Sequence, residues 1–80
     1  MTLNFDLEPI LVHWRNANLN YRDSARALED LLAIPPEHRG PVWASQHESL
    51  VELCAFDQQA CYMAERDLIA EVRAKAREAA

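Results

Sequence analysis

From Val42 to Ala80 the chain contains neither glycine nor proline. A stretch of that length, rich in Ala, Leu, Glu and Arg, has one regular structure open to it, because all four are strong helix formers. The spacing predicts a helix over about 41–78, roughly 38 residues and about 57 Å long at 1.5 Å per residue. Nothing else in 80 residues is long enough to cover it from end to end. Its start is open between two signals: Gly40 with Pro41 at the first helical position, and the capping-box pattern Ser45-Gln46-His47-Glu48. The earlier start is favoured because it brings Trp43 onto the apolar stripe. That stripe reads Trp43, Leu50, Leu53, Cys54, Ala60, Cys61, Ala64, Leu68 and Val72, at intervals of three and four. Phe56 and Met63 form a second line about 120° or more around the helix, and Val51, Tyr62 and Ile69 a third on the other side.

A first helix is expected over about 7–33, with Asp6 as N-cap and Glu8 and Pro9 in the first turn. Leu7, Ile10, Leu11, Trp14, Ala17, Tyr21, Ala25, Leu28, Leu31 and Leu32 recur at the helical period. Pro35 and Pro36 then stop it, leaving 34–40 as the connector. The expected fold is therefore all-α: one domain spanning 1–80, an antiparallel two-helix hairpin. A helix apolar on several sides needs cover on several sides, and one neighbour supplies one. Dimerisation into a four-helix bundle is the smallest solution, with Val51, Phe56, Tyr62, Met63 and Ile69 as interface candidates.

An antiparallel return through this connector pairs residues whose numbers add to about 75. Leu32 then meets Trp43, Leu28 His47, Ala25 Leu50, Tyr21 Cys54, Trp14 Cys61, Leu11 Ala64 and Leu7 Leu68. Large residues face small ones at several levels, as interdigitating layers require. At the same register Asn18 meets Asp57, the strongly polar residues in the middle of the two stripes. They are expected to form a buried, register-fixing hydrogen bond.

Charge narrows the partners. Thirteen acids against eight bases leave a formal charge of −5, the wrong sign for gripping phosphate backbones, so nucleic acid is disfavoured as a partner. A direct RNA or DNA contact would have to rest on Arg66, Arg73, Lys75 and Arg77 against that charge. Residues 1–6 lack the basic flank and apolar run of an export signal, and no apolar window reaches membrane-spanning length, so a cytoplasmic location without membrane attachment is expected. Cys54 and Cys61, about 10.5 Å apart along a helix, are too distant for an internal disulfide and read as reduced core thiols.

No catalytic, cofactor or metal site is expected. His47, Cys54 and Cys61 share a face, but spacings of seven set them two turns apart, too far for one zinc ion. A thiol on an apolar stripe is a poor nucleophile, and no glycine-rich loop, Ser-centred elbow or His-Glu-x-x-His is present. Asp57 has no second inward acid with which to form a catalytic pair. Val12 and Leu19 point away from the first helix's stripe among Arg15 and Arg26, and these four are the partner-docking candidates. Residues 69–80 overhang the first helix as a solvated, charge-alternating extension whose Arg73, Lys75 and Arg77 suit the helix dipole.

These features point to a non-enzymatic helical module that pairs with itself and binds another protein, as an inhibitor or regulator that masks it. The size and acidity are, by analogy of type, those of small inhibitors that phages and mobile elements direct against host regulators. Two alternatives remain: an acidic nucleic-acid mimic filling a basic groove, and a structural subunit of a helical assembly.

Overall fold

A computed structural model describes residues 7–79. It contains two long helices, α1 (Glu8–Leu32) and α2 (Trp43–Ala79), joined by a connector with one short 3₁₀ turn, Pro36–His38. No strand occurs among the described residues. The chain is an all-helical hairpin.

α1 opens at Leu7, whose carbonyl accepts the Leu11 N–H at 2.9 Å, and Glu8 and Pro9 occupy the first turn as expected. The proposed N-cap, Asp6, and the rest of 1–6 lie outside the described residues. At the far end the Ala33 N–H still bonds the Glu29 carbonyl at 2.9 Å, and Pro35, with φ −57° and ψ 145°, takes the chain out of the helix. The last turn of α1 has no basic residue of its own. Arg39 supplies one from the connector: its Nε donates to the Ile34 carbonyl at 2.9 Å and its Nη2 to the Leu32 carbonyl at 3.3 Å. The Trp43 indole N–H takes the Leu31 carbonyl at 3.0 Å. The open carbonyls of a helix end are thus capped from across the turn. Arg39 also lies 4.0 Å over the Trp43 ring, and the His47 ring is stacked with that indole at 5.0 Å.

α2 begins at Trp43, between the two starts anticipated from sequence. The Val42 carbonyl accepts the first full-turn bond, from the Gln46 N–H at 3.0 Å, and the Trp43 N–H bonds the Gly40 carbonyl at 3.1 Å. Ser45 is no cap: its hydroxyl donates to the Val42 carbonyl at 3.0 Å, one turn back.

The register differs from the expected one. Cys61 donates its S–H to the Ala17 carbonyl at 3.1 Å, so it lies level with Ala17, about one helical turn beyond Trp14. The tip remains close to expectation, with Trp43 reaching Leu31 rather than Leu32. The helix ends, Leu32 and Trp43, still match the expected register, so the shift lies in how the two helices seat along each other and not in the length of the turn.

The seam is also narrower than the stripes. Ala17, Ser24 and Leu31 are buried on α1, and Asp57 and Ala64 on α2, each set seven residues apart. That is the spacing of a seam between two helices in lengthwise contact. Leu11 and Leu32, and on α2 Leu53 and Val72, belong to the sequence stripes yet are exposed, because a single antiparallel neighbour reaches only this line. The molecule measures 63 × 18 × 14 Å, one layer of helix thick, and no large side chain among the described residues is fully buried.

Candidate protein-binding surfaces

A one-layer hairpin has a groove on each side, and the two sides differ in chemistry. On the first side a notch of about 480 Å³ opens near the tip, lined by Ala27, Asp30, Leu31, Ile34, Ser45, Gln46, Ser49 and Leu50. It runs into a depression of about 390 Å³ bounded by Asn20, Asp23, Ser24, Ala27, Leu50, Leu53 and Asp57. No cation lines either hollow. Phe56 and Met63 rise along α2 on this side, in line with Ser49, because seven residues bring a helix back to within about 20°. Phe56 is 71% exposed, the most exposed large apolar side chain among the described residues.

The second side is aromatic and basic. Trp14, Tyr21, Arg15, Arg22 and Arg26 border an open cleft of about 580 Å³ with Asn18, Leu19, Ala25 and Glu29. Trp14, Asn18 and Tyr21 continue across the seam into a hollow with Gln58, Cys61, Tyr62 and Glu65. Tyr62 and Glu65 lead on to Arg66, Ile69, Ala70 and Arg73. Three of the four docking candidates, Arg15, Leu19 and Arg26, therefore share one cleft; Val12 is exposed but does not line it. Arg15, Arg22, Arg26 and Arg73 form no ion pair among the described residues, where the pairs are Arg66 with Asp67 and Lys75 with Glu71 and Glu78. The five dimer candidates do not share a face. Phe56 and Met63 lie on the first side, Tyr62 and Ile69 on the second, and Val51 follows the Tyr62 line at about 100° per residue.

The buried pair expected of Asn18 and Asp57 is not formed. Asn18 is exposed and its Nδ2 donates to the Trp14 carbonyl at 2.7 Å, within its own helix. Asp57 is buried, but the polar residues sharing its hollow are Asn20, Asp23 and Ser24, of which Ser24 donates its hydroxyl to the Tyr21 carbonyl at 3.1 Å. The register shift carries Asn18 toward Gln58, Cys61 and Tyr62 instead. Ser24 was missed because serine carries no apolar signal, although it falls midway between Ala17 and Leu31 in steps of seven. The capping role of Arg39 was missed because no local pattern marks a side chain that folds back on a preceding helix.

Burial pushes the Cys61 thiol above its ordinary value, and the charges of Asp57 and Glu65 push it further. Such a thiol is held protonated, the reverse of an activated nucleophile. His47 is stacked with Trp43, and among the described residues no three His, Cys, Asp or Glu side chains cluster to hold a metal ion. No helix among these residues is long and apolar enough to cross a membrane.

No protein-family model matches the chain, and neither a curated protein nor a solved structure resembles it significantly.

Proposed function

We propose that this chain is a non-enzymatic helical module that pairs with a second copy and uses its remaining surface to bind and mask another protein, as an inhibitor or regulator. The observation that carries this reading is the absence of an enclosed core. Stable domains pack at least two layers around apolar side chains, and this hairpin is one layer with no large side chain fully buried among the described residues. It exposes 6316 Å², against about 4900 Å² for a compact monomer of this mass. Its radius of gyration is 18.5 Å, against about 12 Å for a compact chain of this length. A second copy closes the bundle, and a four-helix dimer still leaves outer faces free.

The aromatic and basic side suits the partner. Trp, Tyr and Arg are the residue types that dominate binding hot spots, and Trp14, Tyr21 and Arg22 meet there beside Leu19. The reading locates the protein in the cytoplasm, where Cys54 and Cys61 stay reduced. Affinity capture with the tagged chain, followed by titration of the captured protein, tests it. The expected result is saturable binding that Leu19→Asp and Arg22→Glu weaken at least tenfold without changing the helical content. Binding indifferent to both changes, or no protein bound at micromolar concentration, refutes it.

A further inference from the structure

We infer that the second copy lies on the first side of the layer, antiparallel and related by a two-fold axis near Leu53, so that Phe56 of each chain enters the tip notch of the other. This placement rests on the dimeric reading above. The face carries both a hole and a knob. The hole is the notch of about 480 Å³ whose apolar walls are Ala27, Leu31, Ile34 and Leu50, with no side chain among the described residues filling it. The knob is Phe56, 71% exposed on the same face.

Their separation fixes the axis. The α2 wall of the notch is centred near Gln46 and Ser49, and Phe56 stands about 13 Å further along the helix at 1.5 Å per residue. A two-fold axis perpendicular to the helices and midway between them exchanges knob and hole. Leu53, 46% exposed, falls beside that axis and meets its own copy. Met63 then arrives at the level of the partner's Val42, itself 59% exposed. One operation covers the large apolar residues this face leaves in water. A two-fold axis parallel to the helices would instead set notch against notch, leaving voids where close packing requires contact.

The size is adequate. Val42 to Met63 spans about 32 Å, and across a layer 18 Å broad this is a flat footprint of about 580 Å² before side-chain relief, at the lower end of the roughly 600–1,000 Å² per partner of specific interfaces. Chemistry separates the two sides as well. Interface cores are depleted in charge, and the first-side hollows carry three charged residues, Asp23, Asp30 and Asp57, against seven on the second side, Arg15, Arg22, Arg26, Glu29, Glu65, Arg66 and Arg73.

The test combines sedimentation of the full chain with cross-linking. The native chain is expected to sediment as two chains at micromolar concentration, and Phe56→Asp to weaken the dimer about thirtyfold or more, the size of a hot-spot loss. Val51→Asp, about 3 Å along α2 from Leu53 but on the opposite side of that helix, should leave it intact. Leu53→Cys should form a disulfide with its own copy on mild oxidation, located by peptide mapping, whereas Val51→Cys should not. If Phe56→Asp unfolds the chain, the cross-link decides. A native dimer in which Leu53→Cys fails to link, or which Val51→Asp breaks, overturns this placement and leaves the dimeric reading standing. A single-chain mass with a cooperative melt overturns both.

Discussion

The indole N–H of Trp43 donates to the Leu31 carbonyl at 3.0 Å, tying the first residue of α2 to the last turn of α1. Arg39 completes the closure by bonding the Leu32 and Ile34 carbonyls while lying over the same indole. The turn is therefore held by side chains acting on a helix end, more than by apolar burial.

That closure is open to test. Trp43→Phe keeps an aromatic ring beside Arg39 and His47 but removes the donor, and should cost about 1 kcal/mol in urea denaturation. Arg39→Lys should cost a similar amount, since an ammonium lacks the planar fork that serves two carbonyls and stacks on the ring. If Arg39→Lys is neutral, Arg39 does not cap α1.

Asp57 sits buried on the seam, although among the described residues no enclosed side-chain oxygen or nitrogen lacks a partner. An apolar side chain of similar size buried at this seam position contributes roughly 1.5–3 kcal/mol relative to leaving it exposed. Asp57→Leu should raise the melting temperature by several degrees, at the 4–8 °C per kcal/mol typical of about this chain length. A fall of several degrees instead would mean the carboxylate is held by an interaction across the dimer.

Asn18 separates the expected register from the observed one. Its hydrogen bond is local and exposed, so Asn18→Ala should change stability by no more than about 0.5 kcal/mol. A buried Asn18–Asp57 bond would cost well over 1 kcal/mol to break. Thermal melts of the single substitution distinguish the two.

The Cys61 thiol gives a pH prediction. Its folded-state value is raised, so the fold favours the protonated form. That contribution is complete below the ordinary thiol value and is lost as pH rises through the raised one. Stability should therefore decline from about pH 9 upward, and Cys61→Ser, which keeps a donor toward the Ala17 carbonyl, should flatten the decline. Alkylation of Cys61 at pH 8 should also lag behind that of the unfolded chain.

Much of the hairpin was legible before any coordinates. Pro35 and Pro36 stop α1, the glycine- and proline-free run makes α2, and the three-and-four spacing marks the faces that turn toward the seam. These signals are local: they act through backbone torsion and through side chains one turn apart. Register is not local. Whether Cys61 lies against Trp14 or Ala17 depends on how the two helix surfaces seat against each other and how Arg39 and Trp43 close the turn, and a shift of one turn was enough to part Asn18 from Asp57. The same holds for the division of surface. Periodicity told which residues are apolar, but only the packed hairpin decided that the seam is one heptad line wide, that Ser24 lies in it, and that Leu53, Phe56 and Met63 stay in water. The physical reason is that burial is a property of two surfaces in contact, and one strand of sequence describes only one of them.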